Sequence, residues 1–310
     1  MIPFELTILG TSSALPTSER YHTAHVLNVR ERFFLIDCGE GTQIQMRKYG
    51  VKFSRINHIF ISHLHGDHFF GLIGLLTTYV LLGRKSDLHI YAHSELPEIL
   101  QSQLKFLGDD IGYNIIWHPL NFKRPQLVLE NEVLTVTSFP VKHRIACCGF
   151  RFTEKPAELN IRKEKIDAYQ IPLKEIYKIK KGEDFIKPEG RVIPNSELTL
   201  PAYKQRSYSF CTDTAYLPGL SEQVNKSSLL YHEATFSNAD EKRAQETFHS
   251  TARQAAMLAR DSNVEQLLLG HFSARYKDVG FMIEEAREVF KNTEAAREGM
   301  VIKIPQQREK

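Results

Sequence analysis

The sequence has few cysteines, little net charge and no repeats, and each shortage excludes a class of protein. The four cysteines, Cys38, Cys147, Cys148 and Cys211, form no CxxC pair, and two are adjacent. We therefore expect reduced thiols in a cytoplasmic protein rather than a disulfide framework. The formal net charge of +3 is too small to predict binding to nucleic acid or membrane by itself. The absence of a repeat at a fixed period excludes a solenoid.

Long apolar runs are also missing. The most apolar stretch, residues 69–82, is shorter than the about 20 residues that cross a bilayer, and it predicts a core helix instead. Residues 1–5, MIPFE, lack the basic region and apolar core of a signal peptide. We therefore expect no membrane partner.

The chain of 310 residues suits one domain, and we predict a single domain over residues 1–310. Apolar alternation and turn residues predict strands at 6–9, 24–27, 33–36, 56–61, 88–92, 133–139, 208–211, 228–231 and 265–269. Helices are predicted at 42–49, 69–82, 95–107, 238–248, 251–261 and 280–291, and Thr251 with Gln254 has the spacing of a capping box. Strands that alternate with helices indicate an α/β fold.

Residues 153–191 interrupt this pattern with a polar and charged segment. Residues 174–181 of this segment include one acid, Glu175, and four lysines, Lys174, Lys178, Lys180 and Lys181. The segment is either a solvated surface insertion or a basic arm that contacts a phosphate backbone. The sequence leaves both interpretations open.

Residues 62–68, SHLHGDH, follow the apolar run 56–61 and carry the strongest chemical signal. In an extended segment His63 and His65 share a face and can reach one metal ion. Gly66 permits a tight turn, after which Asp67 and His68 can serve a second ion. Imidazole and carboxylate are zinc ligands. A histidine-rich turn without metal would leave much polarity without partners, so we predict a two-metal hydrolytic site.

Further candidate ligands stand where other predicted strands end, which is the usual place for site residues in such sheets. These are His143, Asp213, Glu233 and His271, with His249 just before the helix that starts near Thr251. Alone, each would more often be a cap or a core residue, but two ions need more donors than the motif provides. The remaining histidines are expected on the surface or in packing: His22, His25, His58, His89, His93, His118 and His232.

Several longer segments together resemble one family. They are FLIDCGEGTQ at 34–43, SHLHGDHFFGLIGLL at 62–76, HEATF at 232–236, HST at 249–251 and LGHFSARY at 269–276. The motif HxHxDH is typical of the metallo-β-lactamase superfamily, and the other segments resemble its ribonuclease Z family in the short form. The resemblance runs from residue 7 to about residue 276.

The resemblance implies a four-layer αββα sandwich with a protruding arm and two zinc ions per subunit, although other divalent metals are possible. It implies metal ligands at His63, His65 and His143 for one ion, at Asp67, His68 and His271 for the other, and at Asp213 as a bridge. Asp37 would support the ligands, Asp67 would orient the attacking water, and Glu233 with His249 would relay a proton.

The implied activity is zinc-dependent removal of the 3′ trailer from precursor tRNA, near the discriminator nucleotide. The family is commonly homodimeric, and its arm, here residues 153–191, clamps tRNA. Lys174, Lys178, Lys180 and Lys181 would then contact substrate, as would Pro16 and Arg20.

Two departures from the family pattern stand out. The early loop, PxKxRN in the family, reads PTSERY at 16–21, and the arm has Ile171-Pro172 without the usual Gly-Pro. Competing functions are a two-zinc phosphodiesterase of small or cyclic phosphodiesters, a thioester or lactam hydrolase, and an inactive RNA-binding scaffold. The basic arm argues against the phosphodiesterase of small substrates. The HEATF and HST segments argue against the thioester or lactam hydrolase, and the complete ligand set argues against the inactive scaffold.

Overall fold

The computed structural model describes residues 2–107 and 111–308. The strands are β1 Phe4–Gly10, β2 Ala24–Val29, β3 Arg32–Ile36, β4 Ile56–Phe60, β5 Leu88–Ala92, β6 Ile115–Pro119, β7 Gln126–Glu130, β8 Leu134–Pro140, β9 Cys148–Glu154, β10 Phe185–Ile186, β11 Val192–Ile193, β12 Ser207–Cys211, β13 Leu229–Glu233, β14 Leu267–Gly270, β15 Thr293–Ala295 and β16 Val301–Lys303. The helices are α1 Thr42–Lys48, α2 Gly66–Phe69, α3 Gly71–Leu81, α4 Leu96–Leu104, α5 Lys163–Tyr169, α6 Leu173–Lys180, α7 Asn195–Leu198, α8 Glu241–Thr247, α9 Ala252–Asp261 and α10 Gly280–Arg287.

The larger of two compact units comprises residues 3–153 and 207–304. It contains two seven-stranded sheets, with strand orders β16-β1-β2-β3-β4-β5-β6 and β15-β14-β13-β12-β9-β8-β7. Neighbouring strands from β3 to β6 and from β12 to β15 are parallel. Within each of these parallel sets the strands end at the same edge of the sheet.

Three apolar clusters separate the layers of this unit. One joins the inner faces of the two sheets, for example Phe60 with Phe150 and Phe152. A second packs the outer face of the first sheet against α3 and α4, and a third packs the second sheet against α9 and α10. The layers therefore run helix, sheet, sheet, helix, and the expected αββα fold is confirmed.

Most of the predicted elements of this unit are confirmed within a few residues, including the capping box of Thr251 and Gln254. The core helix predicted over 69–82 is observed as α3, which buries Leu72, Leu75, Leu76 and Tyr79, while Phe69 belongs to α2 and Leu81 is 81% exposed. Strands β6, β7, β9, β15 and β16 were missed. In β6 and β7 most residues are only partly buried or exposed, so they lack a clear alternation of apolar and polar residues.

The smaller unit contains residue 2, residues 154–206 and the described end of the chain from residue 305 to residue 308. Sequence reasoning assigned no helix or strand to 153–191, but α5, α6 and the short hairpin of β10 and β11 lie in this unit. Its own core consists of Ile171, Ile179, Phe185, Ile193 and Leu198. A small apolar core therefore supports a mostly charged surface.

Within residues 2–107 and 111–308, no helix combines the length and the hydropathy that crossing a bilayer requires.

Candidate metal centre

The candidate site lies in the larger unit, where strands of both sheets end. Asp37 follows β3, His63 follows β4, Asp213 follows β12, and His271 follows β14. Asp37, Asp213 and His271 have φ values of 55°, 47° and 57°, a left-handed conformation that costs non-glycine residues about 1–3 kcal/mol each. The surrounding fold therefore holds these side chains at some cost, as is common at functional sites.

A first group of possible ligands consists of His63, His65, His143 and Asp213. The Nδ1 atom of His65 lies 3.1 Å from His63 Nε2 and 3.1 Å from His143 Nε2. Asp213 Oδ2 lies 3.4 Å from His63 Nε2 and 3.6 Å from His143 Nε2. Three ring nitrogens and one carboxylate oxygen therefore converge on one point.

A second group consists of Asp67, His68, Asp213 and His271, all of which are buried. His68 Nε2 lies 3.2 Å from an oxygen of Asp67 and 3.2 Å from Asp213 Oδ1. His271 Nε2 lies 3.4 Å from Asp67 Oδ2 and 3.1 Å from Asp213 Oδ1. The two oxygens of Asp213 are thus divided between the groups, which is the geometry that a bridging carboxylate requires.

The opposite nitrogen of most of these rings is held by a hydrogen bond. His68 Nδ1 donates to Asp37 Oδ2 at 2.6 Å, and His143 Nδ1 donates to the Phe248 carbonyl at 3.1 Å. His63 Nδ1 lies 3.0 Å from the Ser62 hydroxyl, which itself donates to Asp37 at 2.9 Å. Such partners fix the tautomer and orientation of metal-binding histidines, and they leave the converging nitrogens available.

The donor set fits a metal ion. His68 Nε2 is buried and lacks a hydrogen-bond partner of acceptable geometry, a costly state unless something else contacts it. In a tetrahedral zinc site with bonds of about 2.0–2.1 Å, ligand atoms lie about 3.4 Å apart. The ligand atoms in each group lie at most 4.8 Å from one another, and the contacts of 3.1–3.6 Å given above match this spacing.

The two groups differ in their protonation. Burial lowers the pKa of the His63 imidazole to about 3, and burial also lowers the pKa of His65 and of His143. Although burial opposes a charge on His68, the carboxylates of Asp213, Asp67 and Asp37 raise its pKa well above the usual value. The first group therefore presents neutral imidazoles, whereas His68 must lose a proton before it can bind a metal ion.

Glu233 and His249 form a hydrogen-bonded pair beside both groups. His249 Nδ1 donates to Glu233 Oε1 at 2.8 Å, while Glu233 also accepts from the backbone N–H and the hydroxyl of Thr235 and from the N–H of Thr214. Burial opposes a charge on His249, but Glu233 raises its pKa to about 9. His249 is therefore charged at neutral pH and can donate a proton.

Thr235 links this pair to the second group. Its hydroxyl donates to Glu233 and lies 2.9 Å from His271 Nδ1. Sequence reasoning gave no role to Thr235 or to Ser62, although both stand inside quoted motifs. The available signal was a polar side chain close to a candidate residue: Ser62 directly precedes His63, and Thr235 lies two residues after Glu233.

The role predicted for Gly66 requires a correction. It was expected to make a tight turn, but its φ is not positive and it begins α2. An added Cβ would lie 2.1 Å from the ring of Phe70, so the glycine instead makes room for that ring.

Pro16 and Arg20 line a cleft of about 590 Å³ together with Tyr21, His22 and Phe70. The Arg20 guanidinium donates to the carbonyls of Ser273 and Tyr276, which fixes the loop against the chain that follows His271. His22, expected in packing, is buried, and its Nε2 lacks a hydrogen-bond partner.

The four candidate lysines of the smaller unit lie in or directly after α6. Lys178 pairs with Glu175 at 3.2 Å and Lys180 pairs with Glu158 at 2.6 Å, so the local excess of positive charge is smaller than the sequence indicates. The ammonium of Lys181 lies 4.3 Å from the centre of the Tyr177 ring. In the part of the chain that the structure describes, neither Lys174 nor Lys181 forms an ion pair with a carboxylate.

Known proteins resemble this chain over nearly its whole length. Ribonuclease Z of Phocaeicola vulgatus is 47% identical over 304 residues, 98% of each chain. The crystal structure of human tRNase Z, short form, superposes with a TM-score of 0.71 at 27% identity, covering 97% of this chain and 99% of that one. The crystal structure of the metallo-β-lactamase fold protein YhfI of Bacillus subtilis superposes with a TM-score of 0.69 at 18% identity, covering 97% of this chain and 99% of that one. A family model described as anti-Pycsar protein Apyc1 matches residues 4–113.

Proposed function

The chain belongs to the ribonuclease Z family, and we propose that it cuts precursor tRNA next to the discriminator nucleotide at the two groups described above. It is a tRNA 3′-processing endoribonuclease with a metallo-β-lactamase fold and a metal-binding site. The observation that carries the finer proposal is the division of the two Asp213 oxygens between the groups. This geometry suits two ions that act on one phosphate.

We assign zinc as the metal, with two ions per chain. His63, His65 and His143 would hold one ion, Asp67, His68 and His271 would hold the other, and Asp213 would bridge them. Imidazole nitrogen with carboxylate oxygen is a donor set that zinc accepts. When bound, two such ions lower the pKa of water and stabilise charge on the phosphoryl oxygens.

The chain's own residues supply the proton chemistry. Asp67, in the first turn of α2, would orient the attacking water and accept its proton. His249, charged because of Glu233, would donate a proton to the ribose oxygen that leaves the phosphorus. The hydroxyl of Thr235 would hold the side chains of Glu233 and His271 in position. Asp37 would orient the ring of His68.

Cleavage of labelled transcripts tests this function. Zinc-loaded protein is given a precursor tRNA with a 3′ trailer that lacks CCA, the same tRNA with CCA encoded, and a small chromogenic phosphodiester. A single cut after the discriminator nucleotide is expected. Hydrolysis of the small ester alone would favour a phosphodiesterase of small substrates, and the CCA transcript shows whether the loop with Pro16, Arg20 and Tyr21 discriminates.

We propose that residues 153–191 form an arm that holds tRNA through the basic face of α6. Lys174 and Lys181 are the best candidates, since Lys178 and Lys180 already have acidic partners. A double variant, Lys174→Ala with Lys181→Ala, should weaken tRNA binding and reduce its salt dependence. The matched control replaces Lys165 and Lys187, which pair with Glu197 and Glu189. Equal tRNA affinity in both double variants would contradict the arm proposal.

We further propose a cytoplasmic homodimer, as is common in the family. The four cysteines are buried and free, which suits a reducing compartment. Light scattering at several protein concentrations measures the oligomeric state, and a mass of one chain at all of them would exclude the dimer.

A further inference from the structure

A second cleft of about 720 Å³ lies in the larger unit, and the reaction described above does not use it. His93 contributes from the end of β5, and residues 119–126 contribute from the connection between β6 and β7. Ala146, three residues after the candidate ligand His143, also lines it. The cleft is therefore connected to the first group through one short loop.

Sheet order places this cleft relative to the metal centre. The cleft of Pro16 and Arg20 is lined by Glu40 and Gly41, which follow β3. The metal motif follows β4, and the second cleft is lined by residues that follow β5 and β6. Because β3 to β6 are parallel neighbours, the two clefts flank the motif on opposite sides.

The distance suits a nucleic acid strand. Parallel strands lie about 4.8 Å apart, so the ends of β4 and β6 are separated by roughly 10 Å. A span of this length is covered by a few nucleotides of one strand, so the strand that is cut at the metal centre can also reach the second cleft.

The rim of the cleft is basic. Lys123 and Arg124 are exposed, and among residues 2–107 and 111–308 no carboxylate lies within ion-pair distance of either. Their backbone N–H groups donate to Asn121 Oδ1 at 2.9 and 3.3 Å, and the N–H of Asn121 donates to Gln126. These bonds hold the loop in one conformation, so two unpaired cations are presented at a fixed place.

The wall of the cleft is aromatic. The half-buried ring of Phe122 lies 5.2 Å from the ring of His93, with 33° between their planes. The backbone N–H of Glu95 donates to His93 Nδ1 at 3.3 Å and helps to hold that ring. A smaller pocket of about 180 Å³, lined by Trp117 and Pro97, shares His93 with the cleft. Basic side chains beside aromatic rings are typical of sites that bind single-stranded nucleic acid.

We propose that this cleft binds single-stranded RNA of the substrate beside the cut, with Lys123 and Arg124 on phosphates and with Phe122 and His93 against a base. The inference rests on the proposed function, because it takes its substrate from there. The strand is either the trailer or the unpaired 3′ end of the tRNA body, which share the same chemistry.

Three proteins test the proposal: the wild type, the double variant Lys123→Ala with Arg124→Ala, and a control in which Lys48 and Lys52 become alanine. The control also loses two positive charges, but Lys48 ends α1 and Lys52 precedes the amino-terminal end of β4, away from the metal motif. For each protein, kcat/KM is measured on precursor tRNA with a short trailer and on precursor tRNA with a long trailer, over a range of salt concentrations.

The double variant should lower kcat/KM by about tenfold and reduce the salt slope by about 1.4, because each contact with a single-stranded phosphate contributes about 0.7. The control and the hydrolysis of a small phosphodiester should stay at wild-type values. A loss confined to the long trailer identifies the trailer as the occupant, and an equal loss on both identifies the tRNA body. Wild-type kinetics and salt slope on both substrates overturn the proposal.

Binding can be measured without cleavage. Trp117 is the sole tryptophan of the chain, so its fluorescence should change when hexauridylate is added, and the double variant should need about tenfold more. Phe122→Leu keeps the apolar packing but removes the stacking surface, and it should weaken binding as well. If the wild type hydrolyses only the small ester, the proposed function fails. This titration still tests the cleft, and an equal response of the wild type and the double variant overturns it.

Discussion

The two ligand groups of the metal centre share Asp213 but differ in burial and charge. The first group contains three imidazoles and one carboxylate, and His65 is only partly buried. The second group contains two imidazoles and two carboxylates, all buried, and Asp37 stands behind His68. The first group therefore has one carboxylate and two partly buried histidines, whereas the second has two carboxylates and is fully buried.

This difference indicates that the two groups bind their metal ions with different affinities. A buried carboxylate-rich group should bind its ion more tightly, because unscreened negative charge favours a divalent cation. The partly exposed first group should exchange its ion more readily. Variants that act on both groups, on neither, or mainly on one test this difference in metal binding.

The largest effect is expected for Asp213→Ala, which removes an oxygen from both groups at once. Both metal equivalents should be lost, and turnover should fall by more than the 10–100-fold typical of residues that only support a ligand. Metal analysis of the purified variant checks this. Full retention of both equivalents would show that Asp213 is no bridge.

His249→Ala should act on neither group. The variant should keep a normal metal content while turnover on precursor tRNA falls by about 10²–10⁴-fold, the contribution of a positioned general acid. Glu233, His249 and His271 also lie close enough together to form a third possible ligand set. A parallel loss of metal and activity would assign His249 to that set instead.

Asp37→Asn should act mainly on the second group, because Asp37 contacts His68 directly but reaches His63 only through the Ser62 hydroxyl. The amide keeps the shape but weakens the charged partner of His68 Nδ1, so metal affinity there should fall by about 10–100-fold. Competition with a chelator resolves the two equivalents. Equal weakening of both would remove the distinction between the groups.

The smallest effect is a difference in pH dependence. The carboxylates raise the pKa of His68 in the metal-free protein, whereas burial lowers the pKa of His63 to about 3. Below its raised pKa, His68 must release one proton when metal binds, so affinity at the second group should fall by about tenfold per pH unit as the pH falls through neutrality. Calorimetry in buffers of different ionisation enthalpy counts the proton. Identical proton release at both sites would contradict this assignment.

Local sequence was sufficient for what depends on neighbours along the chain. The spacing of His63 and His65 placed them in one group, and Asp67 with His68 in the other, as the structure shows. The helix that begins after Thr251 followed from its capping box. In the smaller unit, by contrast, apolar residues scattered among charges gave no clear periodicity, and α5 and α6 were missed.

The α/β fold, the family and the chemical type of the donors could be predicted from the sequence alone, because motifs and short periodicities depend on residues that are close together in the chain. The tertiary structure decided which oxygen of Asp213 faces which group, that Thr235 connects Glu233 to His271, and that Glu158 neutralises Lys180. It also brought Phe122 and Lys123 to the same edge as the metal motif. These contacts join residues far apart in the chain, and their geometry is set by sheet pairing and burial, which no local spacing specifies.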